Sequence, residues 1–181
     1  MASARPLLER HPELRFRELA AADVPRAAEL EADGYPEDEA ATPEKLEYRQ
    51  RVAPELFYGV YEGATLVAFV VSTAARGEEL EGESMSHHEP GGDSICVHSV
   101  CVAKTHLRRG IARAMVKAYV EAILADKERS GGAQRMLLLS HEPLLGLYAQ
   151  CGFQLLGPSK VEHGPEPWFD MRLDLGARRQ L

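Results

Sequence analysis

SICVHSVCVAKTHLRRGIA, residues 94–112, contains three features in a fixed order. The apolar run Ser94–Val102 holds one histidine and predicts a buried strand. The basic loop Lys104–Arg109 follows, and Gly110 opens a helix whose first backbone N–H groups have no partner within the helix. Because free N–H groups, the helix dipole and basic side chains all attract anions, the stretch predicts a phosphate-binding site.

His98 is the candidate proton acceptor of this stretch. On a regular strand it shares one face with Cys96, Val100 and Val102. Such an apolar setting disfavours the charged imidazole, so a neutral His98 could accept a proton beside a phosphate-bearing ligand. The alternatives are structural: a core histidine bonded to a backbone carbonyl, and a basic loop that is only a solvated turn.

Tyr148, on a predicted helix, is the candidate proton donor. A phenol can protonate a leaving thiolate because the two pKa values differ by about 1.5 units. A tyrosine that only packs on the sheet is the alternative. His87 and His88 are adjacent, and a strand would point them to opposite faces, so we predict no metal site.

Composition excludes several classes of protein. A net charge of −7 and the lack of a broad basic face argue against nucleic-acid binding. No apolar run is close to the length of a membrane span, which is about 20 residues. Three cysteines without a secretory signal favour reduced thiols and a cytoplasmic location.

Hydrophobic periodicity predicts one mixed α/β domain over residues 13–176, between disordered tails at 1–12 and 177–181. The expected strands are 14–19, 56–61, 65–73, 94–102, 135–140 and 168–175. The expected helices are 24–32, 43–52, 110–127 and 144–150. We expect Asp23 and Thr42 to cap the first two helices, and Glu62-Gly63 to form a hairpin turn.

Together these motifs resemble the GCN5-related N-acetyltransferase (GNAT) superfamily. The resemblance rests on Val97–Val102, Arg108–Ala112 and Leu147–Phe153. Three further segments resemble the arylalkylamine (serotonin) N-acetyltransferases of non-vertebrate type: Phe16–Leu19, Leu66–Phe69 and Glu83–Gly92. The resemblance implies the GNAT fold, a mixed, mostly antiparallel sheet with helices on both faces. It also implies transfer of the acetyl group of acetyl-CoA to the primary amine of an arylalkylamine.

The resemblance implies a role for each candidate residue. His98 deprotonates the amine directly or through water, Glu39 is the second-choice base, and Tyr148 protonates the coenzyme A thiolate. Two positions depart from the family pattern. Cys96 stands where members often have another histidine, and Leu107 stands where a basic residue is usual.

Binding residues are implied in the same way. Those for the coenzyme are Val100, Cys101, Val102, Arg108, Arg109, Gly110, Ile111, Ala112, Arg113 and Tyr148. Those for the amine are Val100, Leu139 and Tyr35. The tails lack the phosphorylation pattern of vertebrate members, so we expect no phosphorylation-dependent partner. We also expect a monomer. A polyamine or other alkylamine acetyltransferase, and a non-catalytic acyl-CoA-binding module, are the alternative functions.

Overall fold

The protein is described by a computed structural model that covers residues 5–8, 11–82, 84–162 and 164–178. The chain divides into two compact units. Unit 1 comprises residues 1–71 and 99–119, and unit 2 comprises residues 72–98 and 120–181. The long strands β4 (Thr65–Ala75) and β5 (Ser94–Val102) each contribute residues to both units. The single domain expected over residues 13–176 stays a prediction.

Unit 1 contains an antiparallel meander. Strands β1 (Arg5–Leu8), β2 (His11–Glu18) and β3 (Phe57–Glu62) pair in sequence order, and β3 pairs with β4. Gly63 has a φ of +59°, a left-handed conformation that suits the predicted hairpin turn. Ala103, the residue after the end of β5, contacts β4: its N–H donates to the Val67 carbonyl at 2.8 Å.

Helices α1 (Val24–Gly34) and α2 (Pro43–Val52) connect β2 to β3. Thr42 caps α2 as predicted, since its side chain accepts a hydrogen bond from the Lys45 N–H. Asp23 lies at the start of α1 but makes no capping bond; its carboxylate accepts instead from the Tyr61 hydroxyl at 2.7 Å. The expected Asp23 cap is therefore wrong, because a partner on β3 takes that carboxylate.

Helix α3 (Ile111–Ala125) has the apolar face that its sequence predicts. Ile111, Met115, Tyr119 and Ile123 recur every four residues, and each is at most 1% exposed. The Tyr119 hydroxyl donates to the Leu56 carbonyl at 3.0 Å, which satisfies the polar end of a buried ring. No helix in the described ranges is both long and apolar enough to cross a bilayer.

Unit 2 contains a mixed sheet. Strand β6 (Arg135–Ser140) pairs in parallel with the first half of β5, from Ser94↔Arg135 to Val97↔Leu138. Strand β8 (Phe169–Asp174) is antiparallel to β6 and to β7 (Gln154–Pro158). Two short helices complete the unit, α4 (Leu145–Gln150) and α5 (Leu175–Arg178).

Two strands lie where the sequence predicts none. Strand β1 occupies part of the expected tail 1–12, because its main chain pairs with β2. Strand β7 exposes Gln154, Leu155 and Leu156, so it lacks the alternation that marks a half-buried strand. Of the expected tail 177–181, residues 179–181 lie outside the described part of the chain. The other predicted strands and helices are present, with end points that differ by up to three residues.

Candidate active site

His98 is half-buried and is the last residue of β5 that belongs to unit 2. Its Nε2 is 2.7 Å from Oγ1 of Thr73, a β4 residue that is only 2% exposed. The short contact fixes the orientation of the imidazole ring. Sequence reasoning missed Thr73, because a hydroxyl inside the apolar run 65–75 does not show which residue it contacts.

Cys96, two residues earlier on β5, is fully buried. It packs in an apolar cluster with Ala75, Leu80 and Leu137. Burial, together with the nearby carboxylates of Glu89 and Asp93, raises the pKa of the Cys96 thiol to about 12. A thiol with this pKa stays protonated near neutral pH.

Leu139 on β6 packs, partly buried, against that same apolar cluster. Tyr148 lies on α4, is 7% exposed, and makes an edge-to-face contact with Phe153 at 6.0 Å between ring centroids. The N–H groups of Cys151 and Phe153 donate to the Tyr148 carbonyl, which ends the helix as the sequence predicts. The position of the tyrosine is thus set by packing and by the helix end.

Unit 2 also contains a cavity of about 620 Å³. Leu80, Leu137 and Met171, three buried side chains, form part of its apolar wall. Its acidic lining residues are Glu78, Glu79, Glu81, Glu162 and Asp170. Lys160 is the basic side chain of the lining, and its Nζ lies 3.5 Å from Glu79. The cavity therefore combines apolar surface with an excess of negative charge.

The loop that precedes α3 belongs to unit 1. After a 3₁₀ turn at Lys104–His106, Leu107 is extended and 53% exposed. Arg108 has a φ of +61° and Gly110 a φ of +78°. A residue with a Cβ pays about 1–2 kcal/mol for the left-handed conformation, so Arg108 holds a strained backbone at this turn. The space beside Gly110 is open, since an added Cβ would meet nothing within 4 Å.

The two arginines of this loop differ in their surroundings. Arg109 donates to the carboxylate of Glu13 at 3.0 Å, and its carbonyl is 3.0 Å from Nε2 of His11. Arg108 is exposed, and within the described ranges its guanidinium makes no hydrogen bond or ion pair. An anion at the start of α3 would therefore meet one available guanidinium, at Arg108, and one that is already paired.

Two predicted amine-site residues belong to unit 1: Tyr35 directly follows α1, and Val100 lies on β5. The Tyr35 hydroxyl accepts from the Val100 N–H at 3.3 Å and donates to the Val100 carbonyl at 3.5 Å. Tyr35 and Val100, both predicted to contact substrate, are thus in direct contact. Glu39 is half-buried in the following turn, where its N–H donates to the Pro36 carbonyl.

Glu31 is a second residue that sequence reasoning missed. It is 1% exposed on α1, and its carboxylate accepts hydrogen bonds from Ser99, Cys101 and the Ala41 N–H. Burial and this carboxylate raise the pKa of the Cys101 thiol well above its usual range. Across the described ranges, no group of three or more His, Cys, Asp or Glu side chains is arranged to hold a metal ion.

Residues 24–153 match the model of the acetyltransferase (GNAT) family, and the chain belongs to that family. This confirms the GNAT fold predicted from the sequence.

Individual relatives narrow the comparison. Over 167 residues, the chain is 25% identical to serotonin N-acetyltransferase from Mesocricetus auratus, covering 91% of this chain and 79% of that protein. The chain is 23% identical to the serotonin N-acetyltransferase of Macaca mulatta, and the match covers 91% of this chain and 80% of that protein. These matches support the predicted resemblance to the arylalkylamine N-acetyltransferases. Among solved structures, the GNAT-like decarboxylase GphF in complex with isobutyryl-CoA superimposes on the chain with a TM-score of 0.78 at 14% identity. The superposition covers 89% of this chain and 99% of that one.

Proposed function

We propose that this acetyltransferase moves the acetyl group of acetyl-CoA to the primary amine of an arylalkylamine such as tryptamine, serotonin or phenylethylamine. The observation that carries the proposal is the half-buried His98 imidazole, oriented by Thr73 at 2.7 Å. Similarity to serotonin N-acetyltransferases over 91% of the chain supports the choice of amine.

Unit 1 supplies the groups that hold the coenzyme. The backbone of Val100, Cys101 and Val102 pairs with the pantetheine arm, and the loop Arg108–Arg113 binds the pyrophosphate. The open space beside Gly110 fits this group, because a phosphate must approach the first N–H groups of α3 closely. Arg108 adds the positive charge that Leu107 does not provide.

His98 accepts the proton that the amine must lose. An alkylamine has a pKa near about 10 and is mostly protonated at neutral pH, so it cannot attack the thioester until it is deprotonated. His98 takes this proton directly or through water. Glu39 is the second candidate base, in the turn after α1, while Tyr35 and Leu139 line the amine site.

The chemical step is a direct displacement. The amine nitrogen bonds to the acetyl carbonyl carbon as the carbon–sulfur bond breaks, and the nitrogen releases its second proton to solvent water, which yields an amide and the coenzyme A thiolate. Tyr148 then gives its phenolic proton to the thiolate and regains a proton from solvent water. Neither cysteine of β5 forms an acyl-enzyme, because burial raises the pKa of the thiols of Cys96 and Cys101.

A polyamine is the second candidate acceptor, and the acidic cavity of unit 2 favours it. A chain of methylene groups with several ammonium groups matches apolar walls and an excess of carboxylates. A non-catalytic acyl-CoA-binding module is the third candidate. It shares the coenzyme-binding residues but needs no oriented His98.

Steady-state rates distinguish the three candidates. We expect kcat/KM for tryptamine to exceed that for spermidine. A preference for spermidine of more than about tenfold, which is about 1.4 kcal/mol in transition-state binding, would move the assignment to the polyamine class. Coenzyme binding without amine-dependent release of thiol would leave only the binding module.

A further inference from the structure

We propose that Glu31 is a positioning residue for the coenzyme-binding stretch of β5. It would hold residues 99–101, and the end of the loop that precedes α2, in one fixed arrangement. The inference rests on the proposed function, because that function assigns the Val100–Val102 backbone to the coenzyme. Glu31 does not touch the substrates; it acts through the segments that do.

The contacts of Glu31 come from two separate segments. Its Oε1 accepts from the Ser99 hydroxyl at 3.0 Å and from the Ala41 N–H at 2.8 Å. Its Oε2 accepts from the Cys101 thiol at 3.1 Å. Both atoms of the carboxylate are therefore used, and Ser99 and Cys101 flank Val100 on β5.

Tyr35 completes the arrangement one helical turn later. Residues four apart share a face of a helix, and Tyr35 directly follows α1. Its hydroxyl bonds both polar groups of the Val100 backbone. Glu31 and Tyr35, which we call the α1 clamp, thus contact three consecutive residues of β5.

The free-energy cost of burying the Glu31 carboxylate indicates that this side chain does more than pack. Burying a charge is costly unless hydrogen bonds and an opposite charge compensate, and an apolar side chain would avoid that cost. Here the compensation is present. Arg49 is 7% exposed, and burial lowers its pKa to about 10, while Glu31 and Tyr35 oppose that shift. The group defines where β5 and the loop must lie.

The hydrogen bonds between Tyr35 and Val100 compete with the proposed binding of the coenzyme. Tyr35 occupies the N–H and carbonyl of Val100, which the coenzyme is proposed to use. Both distances are long for hydrogen bonds, so the hydroxyl is readily displaced. Glu31 bonds only the neighbours of Val100, so it keeps the strand in place when Tyr35 leaves.

Calorimetric titration with coenzyme A and steady-state kinetics test the proposal together. Glu31→Gln loses the charge and one acceptor, and we expect it to weaken the Kd for coenzyme A about tenfold. We expect KM for acetyl-CoA to rise to the same extent while kcat changes less than about threefold. A merely structural role would instead lower Tm and the active fraction at unchanged Kd and KM.

Cys101 provides the matched pair of variants. Cys101→Ser keeps a donor for Glu31, whereas Cys101→Val removes it at similar volume. We expect coenzyme A to bind several-fold more weakly to the valine variant than to the serine variant. Equal Kd values for the two would overturn the proposal, as would wild-type Kd and KM in Glu31→Gln.

The proposal stays testable if Glu31→Gln does not fold or if the wild-type protein acetylates no amine. If Glu31→Gln does not fold, Ser99→Ala removes one donor and leaves the carboxylate; an unchanged Kd in both Ser99→Ala and Cys101→Val would then reject the role of Glu31. If the wild-type protein binds coenzyme A but acetylates no amine, the proposed function fails. The calorimetric comparison still tests the α1 clamp in that case.

Discussion

The two halves of strand β5 have different surroundings. The half in unit 2 is Ser94–His98. Its residues from Ser94 to Val97 pair with β6, and the Thr73 hydroxyl orients the His98 imidazole. The half in unit 1, residues 99–102, is held by the α1 clamp through a buried carboxylate and a phenol. One half presents a side chain that can accept a proton, and the other presents backbone groups.

The cysteines show the same difference. Cys96 and Cys101 are both buried on β5, and burial raises the pKa of both thiols. Cys96 packs against apolar side chains, while Cys101 donates a hydrogen bond to Glu31. Under the proposed function, the strand separates proton transfer in one half from coenzyme binding in the other, so variants in one half should leave the function of the other intact.

The largest expected effect is that of His98→Gln. Removing a general base usually costs about 10²–10⁴-fold in rate, and we expect kcat to fall by about 10³. The wild-type rate should decline at acid pH as the base becomes protonated, and the variant should lose that dependence. Steady-state rates between pH 5.5 and 9.5 measure both. An unchanged rate and pH profile would transfer the role of base to Glu39, to be tested by Glu39→Gln.

Tyr148→Phe should have the next largest effect. The ring still packs edge-to-face against Phe153, so the fold is retained, but the proton donor to the thiolate is lost. We expect kcat to fall by about 10²-fold, with KM for both substrates within a factor of about three. Phe153→Leu is the control that alters the packing without removing a proton. Equal losses in the two variants would show that only packing matters at this position.

The two loop arginines sharpen the comparison within unit 1. We expect Arg108→Ala to raise KM for acetyl-CoA about fivefold, since an available guanidinium near a phosphate contributes about 1 kcal/mol. Arg109→Ala should have a smaller effect, because Glu13 already pairs with that side chain. Both effects should shrink as salt is added. A larger effect at Arg109 would contradict the assignment.

Cys96→Ala should have the smallest effect on catalysis. The pKa of the Cys96 thiol is about 12, so the thiolate is absent throughout the working pH range. We expect kcat and its pH dependence to match wild type within about twofold. The raised pKa also predicts slow alkylation of Cys96 at pH 9 in folded protein, where an ordinary thiol is largely ionised, and fast alkylation after denaturation. Mass spectrometry of the labelled peptide measures this, and fast labelling of the folded protein would contradict it.

Periodicity was sufficient to predict the elements whose side chains are buried. Strands β5 and β6 have the predicted bounds, and α3 has the predicted face, because burial imposes a regular apolar pattern on each. Strands β1 and β7 escaped prediction because main-chain pairing, rather than an apolar pattern, defines them.

The same limit applies to the site. His98, Gly110 and Tyr148 stand in recognisable local motifs. Thr73 and Glu31 do not, because their partners lie 25 residues away, at His98, and 68 residues away, at Ser99. Only the fold brings such groups together, so local sequence cannot reveal that they orient a base or a strand.

Calorimetry of His98→Gln with acetyl-CoA, combined with its turnover of tryptamine, tests the separation of roles along β5 most directly. We predict a Kd for acetyl-CoA within about twofold of wild type and a kcat lower by about 10³-fold. Weaker coenzyme binding in proportion to the loss of rate, or a wild-type kcat, would contradict the account.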